Sequence, residues 1–157
     1  QMLKPADIPR FAKLGLTASI QPQHAMDDRD VITRFWANLG GIPYAFKALH
    51  DAGVRLRMGS DAPVAPLDPW LAISAAVFGT ESSDREPFQP EQCLDFETAL
   101  ASSTAVGRVA LRDADAADLV LLDCDPSIID SPEAMRAMPE HVLGTMLAGR
   151  WTYQQAE

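Results

Sequence analysis

Two short stretches hold side chains whose types and spacing could do chemistry together. In Arg57-Met58-Gly59-Ser60-Asp61-Ala62-Pro63-Val64, an alternating run from Val54 to Met58 ends in two small residues, a carboxylate and then a proline. Proline forbids helix and pins a turn, so the pattern predicts a strand that delivers an acid at its carboxyl end. Gly59 lets the backbone bend closely past neighbouring strand ends, and Ser60 and Asp61 have side chains that can bond their own backbone. Two readings of Asp61 follow. Either the carboxylate stands at the mouth of a sheet, where α/β folds bind ligands and where an acid can take a proton or touch a cation, or it only closes an Asx-type turn. The second stretch, Gln21-Pro22-Gln23-His24, ends the run Leu16 to Ile20 and places polar side chains at another strand end.

The elements that must position these residues come from a chain of 157 residues, 47% hydrophobic and 22% charged, enough for one globular domain or for pieces of two. A net charge of -9, from 22 acids against 13 bases, argues against a nucleic acid or an anionic membrane as partner. Cys93 and Cys124 form no CxxC and read as reduced thiols of a cytoplasmic protein, not as a metal site. No apolar run approaches a membrane span, and these residues contain no basic-then-apolar leader pattern. An opening at Gln1, in helix-forming sequence, leads us to expect part of something longer.

Taken in order, Lys4 to Gly15 predicts a short helix, with Ile8, Phe11, Ala12 and Leu14 at helical spacing, and Leu16 to Ile20 a strand. Asp27-Asp28-Arg29-Asp30 reads as a solvated acidic cap for a helix through Val31, Ile32, Phe35 and Trp36; it lacks the ligand order of a calcium loop. Pro43 to Ala52 predicts a helix with His50 on its solvent face, stopped by Gly53, and Val54 to Met58 the next strand. Asp68-Pro69 opens a helix through Phe78 that is apolar nearly all round, so it must be covered on several sides, by the fold or by a second copy in a homodimer. Gly79 to Gln92 is a polar loop, and Asp95 caps a helix over Phe96 and Leu100. From about Arg112 the chain turns β-rich: Ala117 to Asp123 is one strand, Pro132 to Met138 a helical turn, and Val142 to Tyr153 a second strand bent at Ala148-Gly149. The boundary divides 1–111 from 112–157.

Gln21-Pro22-Gln23-His24, Gly59-Ser60-Asp61-Ala62-Pro63-Val64, Leu67-Asp68-Pro69 and Ala117-Asp118-Leu119-Val120-Leu121-Leu122-Asp123, in that order, resemble the amidohydrolase superfamily, and within it the YtcJ-like, amidohydrolase-3 branch. The resemblance implies an α/β fold: the C-terminal portion of a (β/α)8 TIM-type barrel, its last two strand-helix units, in 1–111, and part of a small β-sandwich in 112–157. It implies a hydrolase of a non-peptide carbon-nitrogen bond, amide or formamide-like, in a small-molecule substrate. It implies a divalent metal, zinc, as one or two ions, and makes Asp61 the catalytic carboxylate and a metal ligand. His24 matches a histidine that faces the substrate, and Gln21 stands beside it at the same strand end.

The family's remaining ligands, an HxH pair, a carboxylate or modified lysine and two further histidines, have no counterpart here. His24, His50 and His141 form no HxH. A hydrolytic metal takes about three protein ligands, and a barrel takes eight strand-helix units over about 250 residues. The expectation is therefore a C-terminal segment of a longer enzyme, inactive alone, with most metal ligands outside it. The alternative is a catalytically inactive fragment that folds as a binding or oligomerisation module. Arg57 shares parity with Asp61 and would point toward a barrel interior that usually holds apolar or small side chains.

Overall fold

Two parallel strands form the frame on which the polar strand ends sit. The computed structural model describes residues 1–36 and 38–156. In it β2 (Thr17–Ile20) lies beside β4 (Arg55–Met58), with Thr17 opposite Arg55 and Ile20 opposite Met58. The Gly59 amide donates to the Ile20 carbonyl at 3.0 Å, which carries the pairing one residue past the strand. One face of this ribbon buries Ala18, Ile20 and Leu56, as period-two alternation requires, while Thr17, Ser19 and Arg55 are exposed. Before β2 come a two-residue strand, β1 (Met2–Leu3), and α1 (Ile8–Lys13); between β2 and β4 lie α2 (Pro22–Val31), a π-helical turn Ile32–Trp36, β3 (Ile42–Pro43) and α3 (Phe46–Asp51).

The helix α2 starts earlier than the sequence pattern suggests. Pro22 takes its first position, where a missing N–H costs nothing, so Gln23 and His24 are in its first turn and not in a loop. The acids Asp27, Asp28 and Asp30 therefore lie within the helix and cannot cap it. Other side chains satisfy them instead: Tyr44 donates to Asp28 at 2.5 Å and Arg85 pairs with Asp30 at 2.6 Å, both from outside the helix, and the Gln23 amide one turn earlier reaches Asp27 at 3.3 Å. Burial, and then the bond to Asp28, holds the Tyr44 phenol protonated far above its ordinary range, so it remains a donor.

After β4 comes α4 (Pro69–Phe78), capped by the Asp68 carboxylate, which accepts from the Trp70 amide at 2.9 Å, and stopped by Gly79 in the left-handed region at φ 64°. Its apolar sides are covered by α2, by α5 (Phe96–Ser103) and by α6 (Pro132–Arg136), so the fold itself meets the demand made by the sequence. Ile73, Ala76, Ala99, Met135 and Met138 are 0–1% exposed at this junction. Arg57 is not left in open space. Its guanidinium donates to the Thr104 carbonyl past the end of α5 and lies against Gly107, where a Cβ would come within 3.3 Å of it.

The last part of the chain is an antiparallel sheet in the order β5 (Leu119–Leu122), β6 (Val142–Leu147), β7 (Arg150–Gln154). The sequence suggests one bent strand from Val142 onward; there are two, joined by Ala148 and Gly149 at φ 48° and 76°, the two positive values that a tight hairpin turn needs. Gly144 carries no side chain because Trp151 crosses it, with ring atoms 2.7 Å from where a Cβ would stand. Among the described residues no helix is long and apolar enough to cross a membrane.

Candidate active site

The parallel register brings the ends of β2 and β4 side by side, and with them His24 and Asp61. His24 is held by the first turn of α2, where its amide donates to the Gln21 carbonyl at 3.1 Å. Gln23, next to it, anchors that turn: its amide donates to Glu81 at 2.9 Å, and its oxygen accepts from Arg136 at 3.4 Å. Arg136 also stands 3.4 Å from Glu81, so α2, the segment after α4, and α6 are tied at one point. This anchors the first turn of α2 from three elements.

Asp61 follows β4 by three residues, with φ at 61°. The turn does not use its carboxylate. The Ser60 hydroxyl accepts the Ala62 amide at 3.3 Å, and the Asp61 main-chain carbonyl accepts from Val64 at 2.9 Å. The carboxylate is 51% exposed and its Oδ2 stands 4.0 Å from Nε2 of His24. That nitrogen is buried and, among the described residues, has no hydrogen-bond partner. A buried polar atom without a partner costs about 1–3 kcal/mol and is uncommon in folded chains.

Gln21 is half-buried and lines a hollow of about 250 Å³ with Gln1, Phe11, Ser19 and Tyr44, while its carbonyl orders the His24 turn. A smaller hollow of about 150 Å³ lies below the Asp61 turn, lined by Met58, Ser60, Asp68 and Ser103. His50 is exposed on α3. The open carboxylate of Asp61 has an oxygen free to hold a divalent ion, one of the about three protein ligands that such a site takes, and Nε2 of His24 beside it has no partner among the described residues.

A second cluster includes Cys124, which the sequence reads as a reduced thiol and not as part of a metal site. Asp123, Cys124 and His141 each offer a donor atom, and all three atoms lie within 4.8 Å of one another. The signal that could have found it is strand register: Leu122 pairs with Val142, which sets Asp123 opposite His141.

A sequence profile of the amidohydrolase family matches residues 1–153. The protein LONG AFTER FAR-RED 3 of Arabidopsis thaliana is 28% identical over 164 aligned positions, which cover 98% of this chain and 27% of that protein. YtcJ of Bacillus subtilis (strain 168) is 26% identical over 168 positions, covering 99% of this chain and 31% of the relative. A crystal structure of an uncharacterized metal-dependent hydrolase from Pyrococcus horikoshii OT3 superposes with a TM-score of 0.56 at 26% identity, over 68% of this chain and 22% of that one. The chain thus spans under a third of the length of the curated relatives it matches. With the profile covering nearly every residue, and with an acid and an imidazole at the ends of parallel strands, the chain belongs to the amidohydrolase family.

Proposed function

We propose that this chain is the C-terminal part of a metal-dependent hydrolase acting on an amide or formamide-like carbon-nitrogen bond of a small organic substrate. In this reading 1–111 completes a (β/α)8 barrel and 112–157 belongs to a β-sandwich, while residues outside the chain supply the other metal ligands. The observation that carries it is the buried, unpartnered Nε2 of His24 standing 4.0 Å from the open carboxylate of Asp61.

When bound, a divalent ion of the zinc class supplies a lowered pKa for water and polarisation of the scissile carbonyl. Asp61 would hold it through one carboxylate oxygen. The chain's own chemistry is proton transfer. The Asp61 carboxylate orients a water and takes one of its protons as the water oxygen bonds to the carbonyl carbon. It then gives that proton to the nitrogen as the carbon-nitrogen bond breaks, leaving a carboxylic acid and an amine, with Asp61 ionised again. His24 hydrogen-bonds the substrate through Nε2, which gives that buried atom the partner it lacks. Gln21 contacts the substrate from the same strand end.

The test is Asp61→Asn in the polypeptide that carries the remaining ligands, with turnover measured per folded, metal-loaded molecule. Loss of a positioned acid-base predicts a fall in kcat/KM of about 10²–10⁴-fold with the fold unchanged. Retained turnover would show that Asp61 is a turn residue only. A second reading, a binding or oligomerisation module without catalysis, is favoured by the open apolar side chains of the C-terminal sheet: Val120, Leu121, Leu147 and Trp151 are 48–60% exposed. Stoichiometric metal at the Asp61 site separates the two, since a module has no use for it.

A further inference from the structure

We infer that Asp123, Cys124 and His141 form a second cation site, separate from the Asp61 end of the molecule, that takes a borderline-soft divalent ion of the zinc class. The proposal does not depend on the hydrolase reading.

Backbone pairing builds the site. The Asp123 amide donates to the His141 carbonyl at 3.1 Å, continuing the β5–β6 ladder past Leu122 and Val142 and locking the two residues across from each other. Nδ1 of His141 stands 2.8 Å from Oδ1 of Asp123. The register slips between Leu121 and Leu122, and beyond that irregularity the neighbouring Cys124 brings its sulfur within 4.8 Å of both other donors. Ligands at about 2.0–2.3 Å from a tetrahedral zinc lie about 3.3–3.7 Å apart, so small side-chain rotations would close the set.

The donor types select the ion. Imidazole nitrogen, thiolate sulfur and carboxylate oxygen together suit zinc or cobalt, whereas calcium and magnesium take oxygen alone. Sδ of the fully buried Met138 lies 3.8 Å from the Cys124 sulfur and makes that side of the site softer still. The side chains of Asp123 and His141 are 46% and 43% exposed, which leaves a path from solvent and room for water as a fourth ligand. An ion there would close the loop that runs from Cys124 through α6 to His141.

The full, untagged 157-residue chain titrated with Co²⁺ tests this. Thiolate ligation gives a near-ultraviolet charge-transfer band, and saturation is expected at about one equivalent per chain for that band. The band should persist in Cys93→Ser, Asp61→Ala and His24→Leu. It should vanish in Cys124→Ser and shift to at least about tenfold weaker binding in His141→Ala. Zn²⁺ should displace the cobalt and, at equal concentration, raise the melting temperature of the parent chain more than that of His141→Ala, a readout that stands if Cys124→Ser fails to fold. Absence of the band, its survival in Cys124→Ser, or its loss in Asp61→Ala would overturn the proposal.

Discussion

The molecule pairs an imidazole with an aspartate twice, and the two pairs are built in opposite ways. At the ends of β2 and β4 the atoms stand 4.0 Å apart, with the His24 nitrogen buried and unpartnered. At the ends of β5 and β6 they touch at 2.8 Å and both are close to half exposed. Antiparallel register places residues directly opposite, so Asp123 and His141 satisfy each other. Parallel strands leave their ends side by side and send the chains into separate elements, so Asp61 and His24 are held by a turn and a helix that do not let them meet. A satisfied pair adds little unless something displaces it, whereas an unsatisfied one costs stability and is kept where a ligand completes it.

The comparison can be sharpened from the packing downward. Met135 is fully buried where α6 meets α4, and it ties the chain of the second pair to the core that supports the first. Met135→Ala should cost about 2–5 kcal/mol in urea unfolding. A smaller loss would mean that the two regions are less coupled than this core implies.

Asp95 offers a control acid whose role is structural. Its carboxylate accepts the Thr98 amide and hydroxyl, each at 2.7 Å, at the start of α5. Asp95→Ala should cost about 1 kcal/mol by thermal unfolding. The backbone bond from Thr98 holds this carboxyl below its ordinary value, and the Thr98 hydroxyl adds to it. Its contribution is therefore present at neutral pH and lost as pH falls below about 4 through the folded value. In Asp95→Ala that acid-side loss should be reduced; an unchanged pH profile would break the assignment.

In the metal-free chain, Asp123→Asn should shift stability by at most about 1 kcal/mol, as an exposed ion pair does. A larger loss would mean that the second pair is structural in its own right. These two acids bracket Asp61, whose carboxylate makes no turn hydrogen bond among the described residues.

Much of this was legible in the sequence, and what escaped did so for identifiable reasons. Asp68-Pro69 and Gly79 mark both ends of α4 because capping is local chemistry. Alternation at Val54 to Met58 located β4 and, with Pro63, the turn that carries Asp61. The start of α2 was hidden because a proline after a strand looks the same whether a loop or a helix follows. The acids Asp28 and Asp30 misled for a related reason: Tyr44 and Arg85, their partners, lie 16 and 55 residues away. The Asp123–His141 pairing needed strand register, which no local pattern displays.

The most direct measurement is His24→Leu, read for melting temperature and turnover in the same preparations of the polypeptide that carries the completed site. If the nitrogen is kept for substrate, removing it relieves an unpaired buried atom. The melting temperature should then hold or rise while kcat/KM falls by at least about tenfold. A lower melting temperature with turnover intact per folded molecule would make His24 a packing residue and contradict the site.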